Sequence, residues 1–212
     1  MSDHAGGEEQ VSTSRRRSTG SPTGLARKEI MMRAAAKVFA EKGFSSATVR
    51  DVADEAEVLS GNLYYYFESK EAIVEEVLCG YLDLTVTGYR RAAEEPEDAV
   101  TALTGLMSVA LRGLAHHRYE LMILQNDWHY VGPMERVAKY MDEIEKIWLA
   151  TIDRGVAEGA FRADIDVRMA YRTIMGAIQS AVRWFDTLGK LSVDDLISVQ
   201  SSILLDGLRA AP

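Results

Sequence analysis

The chain has 212 residues, 47% hydrophobic and 26% charged, enough for one compact domain or a small module joined to a larger one. No uncharged apolar run reaches the roughly 18 residues of a membrane span, and no apolar secretory stretch opens the chain, so a cytoplasmic protein is expected. A single cysteine, Cys79, excludes an internal disulfide and a multi-cysteine zinc site, and a net charge of -8 argues against a generally basic nucleic-acid coat protein.

The charge is spread unevenly. Residues 1–24 hold three acids against Arg15, Arg16 and Arg17, residues 25–70 hold seven of each sign, and residues 71–212 hold 14 basic and 22 acidic side chains. The last segment therefore carries the whole net charge. An N-terminal third able to approach a polyanion precedes an acidic body. Residues 1–24 are rich in Ser, Thr, Gly and Glu and poor in large apolar groups, which predicts a disordered tail. The run Arg15-Arg16-Arg17 either lies as an arm in a minor groove or has no fixed partner, since the tail's acids cancel its charge.

In chain order the predicted elements are all helices. Over 26–42, Ala26, Ile30, Ala34, Val38 and Phe39 share one stripe at 3.6 spacing, and Gly43 ends it. Ser46 or Thr48 caps a short second helix, 48–56, because a hydroxyl there accepts an orphan backbone N–H. A third covers 59–67. Ser69 caps a fourth, Glu71 sits in its first turn, and Pro96 stops it after Glu95. Further helices are predicted over 97–117, 118–130, 134–158, 166–187 and 192–209, punctuated by Gly132-Pro133, Glu158-Gly159 and Leu188-Gly189. No alternating run of β-branched residues appears. The expected fold class is all-α with about nine helices, an N-terminal helix-turn-helix domain over 25–72 and a helical body over 73–212.

Short second and third helices joined by a tight turn describe a helix-turn-helix. Ala53 is small where the two helices cross, and Val52, Val58 and Leu63 are apolar where they pack. The runs Phe39-Ala40-Glu41-Lys42-Gly43-Phe44, Thr48-Val49-Arg50-Asp51-Val52-Ala53 and Gly61-Asn62-Leu63-Tyr64-Tyr65-Tyr66-Phe67-Glu68-Ser69-Lys70 resemble the DNA-binding domain of the TetR family of repressors. That resemblance implies a double-stranded DNA operator, a homodimer and a small-molecule effector as partners. Glu57 departs from it, standing where the family often has Gly; a positive φ there would cost about 1 kcal/mol.

The chemistry of the motif can be followed residue by residue. Thr48 and the nearby backbone N–H groups can meet a phosphate, and Arg50 can reach backbone or a base edge. Ser60, Gly61 and Asn62 open the recognition helix with short side chains, and Asn62 can pair bidentately with an adenine edge. Tyr64, Tyr65 and Tyr66 point about 100° apart. The resemblance implies that Tyr64 and Tyr66 face DNA, with Tyr65 packed inward or at the flank. Simple packing of a small bundle is the bland alternative for the tyrosines. Lys70 would hold a phosphate as a point charge.

In the body, Val167, Ala170, Tyr171, Ile174, Ile178 and Val182 make one broad apolar face, and Leu196, Ile197, Val199, Ile203, Leu204 and Leu208 another. Ala177, Ala181 and Gly207 allow close helix approach. This pair resembles the helices of the family's four-helix dimer interface, with some intramolecular core in the same faces. Methionines and aromatics crowd the middle of the chain, where adaptable side chains suit a ligand cavity. The expected ligand-binding residues are Met107, Leu111, Met122, Gln125, Trp128, Trp148, Met175, Gln179, Arg183 and Trp184.

The segment Glu158-Gly159-Ala160-Phe161-Arg162-Ala163-Asp164-Ile165-Asp166 through Val182-Arg183-Trp184-Phe185 looks like the actinobacterial TetR repressors of steroid and fatty-acid breakdown, which respond to acyl-CoA thioesters. Leu59-Ser60-Gly61 fits the same group. Met175 and Gln179 depart from it, standing where the steroid-thioester repressors have Arg and Trp. The cations available for a thioester's phosphates are Arg112, Arg118 and Arg183. His116, His117, Glu120, Asp127 and His129 match no strong ligand spacing, and neither a metal nor a cofactor is expected. Cys79 lies on an apolar stripe and is expected to be an inert thiol. No triad, Gly-rich phosphate loop or paired-carboxylate motif favours an enzyme; an all-α enzyme or binding protein for a lipid-like ligand, or a helical adaptor, remain the alternatives.

Overall fold

The computed structural model describes residues 22–186 and 189–209. The Arg15-Arg16-Arg17 run and Leu188 lie outside them. Ten helices follow one another: α1 (Pro22–Lys42), α2 (Val49–Glu55), α3 (Ser60–Tyr66), α4 (Lys70–Glu94), α5 (Ala99–His116), α6 (Arg118–Asn126), α7 (Trp128–Val131), α8 (Glu135–Ala157), α9 (Val167–Trp184) and α10 (Val193–Leu208). Among the described residues the sole β pairing is an isolated bridge, Phe161 to Arg209.

Several boundaries differ from the sequence expectation for local reasons. Helix α1 begins at Pro22, so residues 22–24 are helical and not part of a disordered tail; proline's fixed φ suits the first turn. The helix expected over 118–130 is two. Asp127 leaves helical geometry (φ -111, ψ 16), and Asn126-Asp127 is a pair with poor helix propensity. Helix α5 starts at Ala99, after Pro96, because the Asp98 carboxylate accepts from the Thr101 N–H at 2.8 Å and the Thr101 hydroxyl at 2.7 Å. The same two contacts hold the Asp98 carboxyl below its ordinary range. The chain leaves α9 at Trp184, three residues short of the expected end.

The core centres on α4, which packs along both α5 and α8. Small residues set the α4–α5 approach: a Cβ built on Gly88 would lie 3.0 Å from Val109, and one on Gly105 would lie 3.1 Å from Ala92. Helix α5 is apolar and long enough by composition to cross a membrane, yet half of it is buried inside the protein. The N-terminal module of α1, α2 and α3 joins the body mainly where α1 packs on α6 and α4. Phe39 is fully buried there, its ring 5.7 Å from that of Phe44, which in turn lies 5.7 Å from Tyr130 of the body.

Backbone strain is confined to one non-glycine residue among the described ones. Glu57, in the α2–α3 turn, has φ 55, the left-handed region. Replacing it with glycine removes a strain of about 1 kcal/mol, offset in part by the greater freedom of glycine in the unfolded chain. Glu57→Gly is therefore expected to raise the midpoint of urea unfolding with an unchanged m-value, while Glu57→Ala, which keeps the Cβ, leaves it unmoved; equal effects of the two would contradict the assignment.

Candidate DNA interface and ligand cavity

Helix α2 is locked at its start by a reciprocal cap. The Thr48 hydroxyl accepts from the Asp51 N–H at 3.1 Å, and the Asp51 carboxylate accepts from the Thr48 N–H at 2.8 Å and its hydroxyl at 2.7 Å. Lys42 donates to the same carboxylate at 2.6 Å, and this ammonium, followed by Thr48, holds the Asp51 carboxyl far below its ordinary value. Thr48 stays exposed. Arg50 is exposed and only loosely paired with Asp54, at 4.0 Å.

Across the turn, Leu63 anchors α3 in the core, which leaves Gly61, Asn62, Tyr64 and Tyr65 exposed and Ser60 half-buried. A Cβ built on Gly61 would meet no atom within 4 Å, so packing within the protein does not require glycine there. The space beside it is open to solvent. Tyr66 differs from the expectation: it is half-buried, packs on the core and stacks edge-on with Tyr65 at 5.3 Å. It is the last residue of α3, about 100° round the helix from Tyr65, which takes the exposed place.

Lys70 also differs. Its ammonium donates to the carbonyls of Phe44 at 2.8 Å, Ala47 at 3.1 Å and Ser45 at 3.5 Å, and sits 4.4 Å from the centre of the Phe44 ring. All three N–H donors are directed at backbone, so the residue fastens the α1–α2 loop to α4 instead of offering a bare charge to phosphate.

Within the body a cavity of 610 Å³ opens between α4, α5, α6, α8 and α9. Of the expected ligand residues, Gln125, Trp128, Met175, Gln179 and Arg183 line it. Met107, Leu111 and Trp148 do not: all three are fully buried in the core, Trp148 backing the wall through an edge-on contact with Tyr89 at 5.6 Å. On α5 the pair Ala110 and Leu114 faces the space instead of Met107 and Leu111, and two adjacent apolar stripes cannot be told apart by period alone. Met122 is half-buried against the core, and Trp184 is 54% exposed, turned about 100° from Arg183.

The polar wall that sequence reasoning missed lies on α4. Tyr81, Thr85 and Tyr89, spaced four apart, put three hydroxyls on one wall. That spacing was the available signal. Burial pushes the Tyr81 phenol up to about 12 and the Tyr89 phenol higher still, so both remain neutral donors. No lining residue is a carboxylate, and Arg183 is the single cation. Arg112 is paired with Asp194 at 2.7 Å, and Arg118 donates to the Phe185 carbonyl at 2.9 Å. Gln125 donates to the Gln179 carbonyl at 2.8 Å, so α6 is tied to α9 at the cavity and at Arg118.

The other candidate groups have ordinary surroundings. His117 lies 3.8 Å from Glu120 and against the Tyr81 ring, and no group of three metal-ligating side chains gathers among the described residues. Burial pushes the Cys79 thiol up to about 11, which keeps it protonated and unreactive.

A helix-turn-helix followed by a helical body with an apolar cavity has counterparts. Residues 31–77 match the family of bacterial regulatory proteins, tetR family, and residues 96–208 match the tetracyclin repressor-like C-terminal domain. The chain belongs to the TetR family and is a TetR-type transcriptional repressor. It is 35% identical over 179 residues to the HTH-type transcriptional repressor KstR2 of Rhodococcus jostii strain RHA1, covering 83% of this chain and 88% of that one. The structure of the ketosteroid transcriptional regulator KstR2 of Mycobacterium tuberculosis superposes with a TM-score of 0.81 at 32% identity, over 87% of this chain and 96% of that chain. A fatty acid metabolism regulator protein of Bacillus subtilis strain 168 is 26% identical over 182 residues, 81% of this chain and 88% of the relative. These relatives are regulators and not enzymes.

The Lys70 geometry carries its own test. Lys70→Ala removes charged hydrogen bonds worth together about 2–3 kcal/mol. It is expected to lower the thermal midpoint of the DNA-free protein, and Lys70→Met, which keeps the stem, is expected to lower it nearly as much. An unchanged midpoint in both would return Lys70 to the role of a phosphate contact.

Proposed function

We propose that this repressor grips a palindromic operator through Thr48, Arg50, Ser60, Gly61, Asn62 and Tyr64 of its N-terminal domain (residues 25–72), and that a mostly apolar anionic effector held in the body (residues 73–212) releases it. The favoured effector is an acyl-CoA thioester of lipid or steroid catabolism. The observation that carries this is the cavity itself: apolar walls, three tyrosine and threonine hydroxyls on α4, no carboxylate, and Arg183 unpaired with any acid among the described residues. Such a site repels no anion and offers one cation to a head group. The name of the ketosteroid regulator, at 32% identity, supports a steroid-derived acyl group. A role on DNA fits a cytoplasmic protein.

Release follows from how the cavity is fastened. Helix α6 lines it, is tied to α9 through Gln125 and Arg118, and packs on α1 of the DNA module. An effector that takes the Gln125 amide breaks one tie and lets α6 and α4 shift against α1. A tenfold loss of DNA affinity needs about 1.4 kcal/mol of differential effector binding. The protein–DNA complex, titrated with acyl-CoA thioesters, free acids and steroids, is expected to dissociate with a thioester, and Arg183→Ala is expected to raise the concentration required. Release by free acids alone would reject the thioester; no response to any of them would reject ligand control by this class.

The two recognition helices are brought to successive major grooves by a homodimer. Helices α9 and α10 leave Met169, Val199 and Ile203 exposed, and Cβ atoms built on Gly176 and Gly207 meet nothing. Ala181, expected on the same face, is fully buried in the core. Ile203→Glu is therefore the clean probe. It is expected to shift sedimentation toward monomer while keeping the helical circular-dichroism signal, and a dimer of undiminished affinity would move the interface elsewhere.

A further inference from the structure

We propose that Leu59 is a sequence-reading residue of this repressor, contacting the C5-methyl of a thymine in the operator's major groove beside the adenine edge met by Asn62. The proposal rests on the DNA-binding role of α3 and adds an apolar, base-specific contact to it. Leu59 is the most exposed large apolar side chain among the described residues, at 78%. It is the N-cap residue immediately before α3, in extended geometry (φ -75, ψ 142), and makes no side-chain cap. Ser, Thr, Asp and Asn are the residues that stabilise that position. The sequence thus forgoes a cap and leaves a leucine in water at the same residue.

Two hydrogen bonds hold the backbone on either side of Leu59, which sets the direction of its Cα–Cβ bond. The Val58 N–H donates to the Ala53 carbonyl at 2.9 Å, and the Asn62 N–H donates to the Leu59 carbonyl at 2.8 Å. Leu59 and Asn62 border the same surface groove with Tyr65. An amide and an isobutyl group side by side match what an A·T-rich step displays in the major groove: adenine N6 and N7 for the amide, and the thymine methyl for the leucine. The open space around Gly61, between them in sequence, leaves room for bases to come close. The contact is made by the leucine methyl groups and does not depend on the charge of the short helix.

The test uses full-length protein and an operator selected from random duplexes. Each thymine of a half-site is replaced in turn by deoxyuridine, which lacks only the methyl, and affinity is measured at one fixed salt concentration. For the natural protein, loss of one particular methyl is expected to weaken binding about fourfold, the value of one buried methyl group. In Leu59→Ala that thymine and its uracil are expected to bind alike, while other thymines keep their effects. Leu59→Ser, which restores a cap and so preserves the fold, is expected to behave like Leu59→Ala. A scan whose methyl effects are the same in all three proteins would overturn the proposal and leave DNA binding standing. A natural protein that enriches no sequence at all would overturn both.

Discussion

One ammonium group fastens the loop between α1 and α2 to the start of α4. Lys70, the first residue of α4, gathers the carbonyls of Phe44, Ser45 and Ala47, and the next residue, Thr48, caps α2. Three carbonyls that no helix ladder satisfies are thereby given donors. Phe44 lies under the same ammonium and touches Phe39 of α1 and Tyr130 of α7. The start of the DNA face, the first helix, the central helix of the body and the edge of the cavity region meet in that one contact set.

The cavity uses the same helices. Helix α4 contributes Tyr81, Thr85 and Tyr89 to one wall, and α6 contributes Gln125 opposite α9. The ties between α6 and α9 are single hydrogen bonds, each worth roughly 0.5–1.5 kcal/mol net. That is the same order as the coupling energy of an effector that changes DNA affinity tenfold. A joint made of weak ties next to a strong one at Lys70 can shift at α6 without unfolding the loop that leads into α2.

Two breaches of local rules lie within three residues of each other. Glu57 is a non-glycine residue at positive φ, and Leu59, at the N-cap of α3, makes no side-chain cap. Either would be a minor flaw in an ordinary turn. Both fall where α2 hands over to the recognition helix, and departures of this kind concentrate at functional sites, where stability gives way to what the surface must contact.

The sequence by itself determined the fold class, the order of the helices and the DNA module, because those follow from short-range facts. Thr48 and Ser69 cap through their own neighbours. The apolar stripe of α1 has a helical period, and the motif from Phe39 to Lys70 is contiguous. Even the strain at Glu57 was legible, since only one residue type sits easily in that turn. What a helix period cannot decide is which of two adjacent apolar stripes meets a neighbour and which meets a hole. Met107 and Leu111 went to the core while Ala110 and Leu114 faced the cavity. Trp184 pointed to solvent and Arg183 to the cavity edge, one residue apart. Lys70 looked like a phosphate contact in the motif, and only the fold brought it to carbonyls 23 to 26 residues earlier in the chain. Contacts between distant segments decide such questions, because a helix carries every side chain on its surface and only its partners choose among them.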